Sequence, residues 1–337
     1  GPFSNKPRDT DSMISSPPPS LGVTLVPGGA LVAVMAPSAE RVVVCLFDAS
    51  GDEEIGRHLL TERDGGCHWG FVPDLVEGTL YGLRVDGPGR FHDPAKLLVD
   101  PYATRLDRPF RLIPELSRPR TDAIDTAPVM PKAIAEAPRP AMPRGPRIDP
   151  AERVIYEVSV RAHTQLHEDV PEAVRGTLAG LRTPEVIDRL RALGVTTIEL
   201  MPLHAAIDER HLPALGLTNA WGYNPVVFLA PDPRLAPGGM EEVRETVADL
   251  HENGFEVILD VVFNHTGESD ALGPTLSLRG LDEETYFRFT GGELDNVTGC
   301  GNTLALDRPA PLRLVMDALR HWAAARYAAR ESAKSPS

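Results

Sequence analysis

The chain has 337 residues, and its 48 acidic against 34 basic side chains give a formal net charge of −14. That balance excludes nucleic acid and anionic membrane as partners and suits a protein handling a neutral ligand, while the length allows two domains with real apolar cores. Cys45, Cys67 and Cys300 are odd in number, scattered and without metal-ligand spacing, so they read as reduced thiols of a cytoplasmic protein that holds no metal.

In chain order, residues 1–20 are rich in Pro and Ser and open on Gly1-Pro2, as a cleaved tag leaves them; they read as a disordered tail. The apolar stretch 21–35 is broken by Pro27, Gly28 and Gly29 and lacks a basic start, so it is neither a signal peptide nor a membrane span. From 21 to 117, short alternating runs at 31–35, 41–47 and 79–85 are divided by Gly, Pro and Asp with no helical period between them. This predicts a β-sandwich. Trp69, Phe71 and Tyr81 could form a platform for sugar faces or fill the core. Sandwich aromatics are mostly core, and Trp69 and Tyr81 are assigned there. Residues 118–150 are a Pro-rich linker, and their composition leaves open a flexible connection or an ordered strap.

Residues 151–326 read differently. Buried strands are expected at 153–160, 195–201 and 256–263, and helices at 184–193 and 240–253. Thr183 is the expected N-cap of the first helix, Pro184 its opening residue, and Gly194 and Gly254 the two stops. Strand, helix, strand, helix, strand at these lengths implies right-handed βαβ units and a parallel sheet. In the third strand, 257–259 continued by Val261 and Val262 looks covered on both faces. Asp260, Asn264 and His265 fall at its carboxyl end, where α/β barrels place their chemistry, and long loops follow the second and third strands, at 202–238 and 264–309.

Asp260-Val261-Val262-Phe263-Asn264-His265, together with Leu217-Thr218-Asn219-Ala220-Trp221-Gly222-Tyr223-Asn224, resembles the alpha-amylase superfamily of glycoside hydrolases. Phe91-His92-Asp93-Pro94-Ala95-Lys96-Leu97-Leu98, Thr164-Gln165-Leu166-His167, Asp208-Glu209-Arg210-His211-Leu212 and Thr298-Gly299-Cys300-Gly301-Asn302-Thr303 narrow the resemblance to bacterial glycogen debranching enzymes of the isoamylase type. It implies a glucan-binding-type β-sandwich, then the first three or so βα units of an incomplete (β/α)8 TIM barrel. It also implies cofactor-free hydrolysis of α-1,6 branch points, with glycogen or another branched α-glucan as the partner. Site roles follow from the same resemblance: His265 would hydrogen-bond the sugar at the cleavage point and Tyr223 would stack on that ring. Asp260 would orient a cation, and Trp221 and Asn264 would support the loop. His163, His204, Asp208 and His211 are assigned no role.

Retaining hydrolysis needs two carboxyl groups about 5–5.5 Å apart. By the resemblance the nucleophile belongs on a fourth strand, after the helix expected at 312–322, and the acid on a fifth. Residues 323–337 read as no such strand, and 327–337 are a polar tail. The expectation is therefore an amino-terminal part without nucleophile or acid/base, shortened by frameshift or truncation and inactive alone. Its rivals are a non-catalytic glucan-binding protein and a subunit completed by a second chain.

Overall fold

The computed structural model describes residues 20–326. The first part is a sandwich of two four-stranded sheets. The strands are β1 (Gly22–Val26), β2 (Gly29–Met35), β3 (Arg41–Phe47), β4 (Glu54–Leu59), β5 (Glu62–Asp64), β6 (Cys67–Pro73), β7 (Leu80–Asp86) and β8 (Ala133–Ile134). One sheet runs β1-β2-β6-β5 and the other β4-β3-β7-β8. Alternation in β2 and β3 sends Val32, Val34, Val42 and Val44 into a shared core that excludes water from both inner faces. Pro27 and Gly28 close the β1–β2 hairpin; Pro presets φ at the first corner, and Gly28 takes φ +80° at the second.

Tyr81 is buried, and its hydroxyl donates to Asp100 Oδ2 at 2.8 Å. Trp69 is buried too, but in a small cluster with Ala33 and Cys67, packed by Leu21 and Met35, apart from the main sandwich core. Phe71 is exposed.

Residues 118–150 follow the ordered-strap path. Met130, Ala133, Ala135 and Met142 are buried along it, and β8 adds an edge to the second sheet by pairing with Leu80 and Tyr81. Farther on, Met142 N donates to Ala324 O at 2.9 Å and Ile148 N to Glu256 Oε1 at 3.0 Å, which ties the strap to the second part.

That second part is built on a three-stranded parallel sheet of β9 (Ile155–Val158), β10 (Thr197–Leu200) and β13 (Glu256–Leu259), in the order β13-β10-β9. Short helices α1 (Val160–Thr164) and α2 (Leu178–Leu181) follow β9, then α3 (Pro184–Ala192). Gly194, at φ +75°, ends α3 and Thr183 sits at its N-cap, both as expected, but the Thr183 hydroxyl makes no cap bond and turns back to Gly180 O at 2.9 Å. An antiparallel hairpin, β11 (His204–Ala206) with β12 (Pro225–Pro231), occupies what reads in sequence as loop. Helix α4 (Gly239–Glu252) leads to β13 (Glu256–Leu259), and α5 (Leu278–Tyr286) and α6 (Pro309–Arg326) complete the described chain.

Two sequence expectations are corrected here. β13 ends at Leu259 rather than at residue 263, and it is not covered on both faces: Val257 is buried, but Ile258, Leu259 and Val261 are half-buried. The helix side of the sheet is packed by α3, α4 and α6 through Ile198, Leu200, Val243, Val247 and Trp322. The opposite row, Glu157, Glu199 and Ile258 in register, has no such layer, and β13 and β9 are both edges among the described residues. Val154 and Ile155 are accordingly exposed beside and on β9. Helix α6 also runs past residue 322, because Ala323, Ala324 and Ala325 continue it at no cost in propensity. The polar tail 327–337 and residues 1–19 of the expected tail lie outside the described residues.

Candidate functional site

The carboxyl end of the parallel sheet carries a cleft of ≈ 480 Å³. Its walls come from separate loops: Asp208, Glu209, Arg210 and His211 after the second strand, Tyr223 and Asn224 before β12, His265, Gly267, Ser269 and Asp270 after β13, and Asn296, Cys300 and Gly301 from the loop before α6.

Backbone pairing sets the geometry. Asp260 N donates to Leu200 O at 2.9 Å, which holds Asp260 at the sheet end, and the Tyr223 hydroxyl donates to Asp260 Oδ2. Among the described residues Asp260 is paired with this phenol and has no ion pair. Burial, then the hydrogen bond to Asp260 and the charges of Asp260, Glu157 and Glu199, push the Tyr223 hydroxyl above its ordinary value, so it stays a donor. Its ring remains half-buried on the cleft wall.

His265 is buried, and both its ring nitrogens are engaged: Nε2 with Tyr223 O at 2.9 Å and Nδ1 with the Asn264 side chain at 2.7 Å. Burial lowers its pKa, so the ring is neutral at physiological pH. A neutral ring has one N–H, and the Tyr223 carbonyl takes it. Nδ1 is then an acceptor, and the Asn264 amide must present its NH2 group there. A sugar hydroxyl reaches Nδ1 only if Asn264, whose residue is exposed, lets go.

Trp221 stands apart. The residue is 67% exposed and lines a neighbouring hollow with Arg161, Asn219 and Arg234. Asn219 Oδ1 accepts from Trp221 N at 3.1 Å and Gly222 N at 2.6 Å, and so shapes the turn into Tyr223.

Asp208 and His211, given no role from sequence, line the cleft beside His265. Glu209 is the more informative neighbour. Its Oε1 accepts from Asn219 Nδ2 at 2.7 Å, whereas Oε2 is buried without a hydrogen-bond partner. It lines the same cleft as His265 and Cys300, and its charge acts on both. Membership of the Asp208–Leu212 motif in the narrower resemblance was the one signal for it. Behind the wall, the buried Glu268 carboxylate accepts from Leu276 N (2.8 Å), Ser277 N (2.7 Å) and Arg279 N (2.9 Å) and anchors residues 266–279. Gly301, at φ +100°, closes the opposite side so tightly that a Cβ there would come 2.5 Å from Asp270 N. Among the described residues no three His, Cys, Asp or Glu side chains are grouped to hold a metal, and all three cysteines are free.

Residues 20–103 match Carbohydrate-binding module 48 (Isoamylase N-terminal domain), and residues 149–287 match Alpha amylase, catalytic domain. The chain is 43% identical to the glycogen debranching enzyme of Yersinia enterocolitica over 92% of this chain and 49% of that protein. Against the glycogen debranching enzyme of Pectobacterium atrosepticum it is 42% identical over 90% and 48% of the two chains. The chain thus spans about half the length of the curated relatives it matches. A pullulanase from Anoxybacillus sp. LM18-11, solved with maltotetraose, superposes with a TM-score of 0.69 at 25% identity, over 90% of this chain and 43% of that one. On these matches the chain is similar to isoamylase-type glycogen debranching enzymes of the alpha-amylase superfamily, with a region matching a carbohydrate-binding module first and a region matching part of an alpha-amylase catalytic domain after it.

Proposed function

We propose that the chain serves the hydrolysis of α-1,6 branch points in glycogen or a similar branched α-glucan, and that residues 20–326 supply glucan recognition for that reaction. The observation that carries this is the cleft at the carboxyl end of the parallel sheet, where a half-buried Tyr223 ring and a neutral His265 sit among fixed hydroxyl-binding groups. Tyr223 offers a flat apolar face for a pyranose ring, held by its bond to Asp260. Glu209 Oε2 offers an acceptor for a hydroxyl, and His265 Nδ1 offers another once a hydroxyl displaces the Asn264 amide; such groups discriminate only when their scaffold is rigid. Asn264 and Trp221 support the two loops that meet there.

The relatives named above are glycogen debranching enzymes, and the pullulanase was solved with a maltooligosaccharide; both fit this reading. A reducing cytoplasm suits three free thiols, one of them exposed, and among the described residues no helix is long and apolar enough to cross a membrane. The unpaired edges of β9 and β13 favour completion of the sheet by further strands, and a second chain is one source of them.

The test is affinity electrophoresis in gels containing glycogen, backed by calorimetry with maltotetraose. The wild-type chain should be retarded, and Tyr223→Ala should weaken maltotetraose binding at least tenfold while the fold is kept. An unretarded wild-type chain with no maltotetraose heat overturns the reading.

A further inference from the structure

A second cavity, of ≈ 420 Å³, lies at the seam where β1 of the sandwich, the strap, α4 and α6 meet, away from the glucan cleft. One wall is apolar, with Leu21, Leu25 and Met240. The other is polar and mostly cationic. Glu136 is already satisfied: it pairs with Arg139 at 3.2 Å and with Arg105 at 3.7 Å, and accepts from Thr104 Oγ1 at 3.0 Å. Arg139 also reaches Glu241 at 3.2 Å. Arg244 has no hydrogen bond or ion pair among the described residues, so the guanidiniums and carboxylates together leave one positive charge unmatched. His321 Nε2 is buried with no hydrogen-bond partner, and Glu136, Arg139 and Arg244 all act on its ring electrostatically. Burial pushes the pKa of His321 down to about 4, so at neutral pH it adds no charge and presents a neutral imidazole.

An unmatched guanidinium and an unsatisfied imidazole nitrogen on one wall of a preformed, half-apolar hollow are the usual composition of a small-molecule site. The volume admits a molecule of hexose size. We propose that this seam cavity binds a hexose-sized polyol bearing one anionic group, a phosphate ester or a carboxylate, with the anion on Arg244 and a hydroxyl on His321 Nε2. Arg matches either anion through its planar pair of N–H groups. The occupant would touch the module, the strap and two barrel helices at once, and so would couple the seam to ligand concentration. This does not depend on the glucan reading.

Calorimetry on the whole chain tests it with four probes: glucose 6-phosphate, gluconate, glucose and inorganic phosphate. Saturable one-to-one binding is expected for glucose 6-phosphate, gluconate or both, and the responding probe separates the two sources of anion. Glucose and inorganic phosphate should each bind at least tenfold more weakly. Arg244→Ala, at a half-buried helix position that tolerates truncation, should weaken the anion at least tenfold, and His321→Phe should do likewise. Tyr223→Ala, in the other cleft, should leave this binding within twofold. No saturable heat from either anion overturns the proposal, as does equal affinity in Arg244→Ala and wild type, or inorganic phosphate binding as tightly as the sugar phosphate.

Discussion

His204 opens β11 and is wholly buried, with Phe228, Phe263 and Trp322 ring centroids at 6.1, 5.5 and 5.4 Å. Neither of its ring nitrogens has a hydrogen-bond partner. Burial, reinforced by the nearby His321, pushes its pKa from 6.5 down to about 3. In the unfolded chain the same ring takes up a proton below about pH 6.5, whereas the folded chain refuses it until about pH 3. The unfolded state therefore binds more protons across that window, and stability contributed by this residue is lost as pH falls. At pH 5 the loss from His204 alone is about 2 kcal/mol relative to pH 8, because a proton bound only by the unfolded chain costs about 1.4 kcal/mol for every pH step of one below 6.5. His204→Phe keeps an aromatic ring in the cage and removes the titration. Overpacking costs the variant about 1–3 kcal/mol, but equally at every pH. Urea unfolding followed by tryptophan fluorescence at pH 8, 7, 6 and 5 reads the difference: between pH 8 and pH 5 the variant should lose about 2 kcal/mol less than wild type. Parallel pH curves for the two proteins would refute the reasoning.

Two further perturbations probe the cleft walls. Glu268→Ala leaves the buried amides of Leu276, Ser277 and Arg279 without their acceptor. At about 1–3 kcal/mol per orphaned group the loss is about 3 kcal/mol or more, which should lower the melting temperature by at least roughly 6 °C; an unchanged melt would remove Glu268 from the wall's support. Gly301→Ala puts a Cβ at φ +100° against Asp270 N. Unfolding should show a cost of about 1–3 kcal/mol and maltotetraose binding should weaken, while wild-type values on both counts would mean that this close approach does not shape the cleft.

Sequence reasoning saw what is periodic and local. The existence of α3, α4, β10 and β13 followed from apolar spacing and glycine stops, since Gly194 and Gly254 do adopt positive φ. The ends were missed where a tertiary neighbour decides them. Val261 and Val262 look like strand, but β13 is an edge, and the chain leaves the ladder at Leu259. β12 was missed because its five apolar residues sit between two prolines, a signature shared with loops. At the site, the structure brings His265 and Tyr223 together through Tyr223 O. Trp221, only two residues from Tyr223, opens on a different hollow, because the turn held by Asn219 faces the two rings apart. Glu209 carries no periodic or capping signal. Its position beside His265 and Cys300 is made by loops 56 and 91 residues further along the chain, and no local pattern encodes that meeting.

The same long-range logic changes the standing of the carbohydrate-binding module. The wall of the cleft at 266–279 is not a free loop, because the segment that leaves the sandwich props it from behind. Val99 N donates to Leu276 O at 2.9 Å, Ser277 Oγ donates to Val99 O at 2.7 Å, and His92 Nε2 bonds Leu281 O at 2.9 Å. Arg279, almost wholly buried, lays its guanidinium over the Phe91 ring at 4.6 Å and donates to Ser269 O at 2.9 Å on the cleft itself. Apolar contact is equally continuous: one core runs from the sandwich valines through Phe228 of the hairpin to Leu276, Leu281 and Leu314. A tethered accessory would meet its partner through a polar seam free to hinge. Here the Phe91–Leu98 motif, which carries the isoamylase-type resemblance in sequence, is a piece that fixes the 266–279 loop of the cleft. In this chain the module is therefore part of the scaffold that holds the cleft in shape, and separating it from the second part would remove the support of one cleft wall.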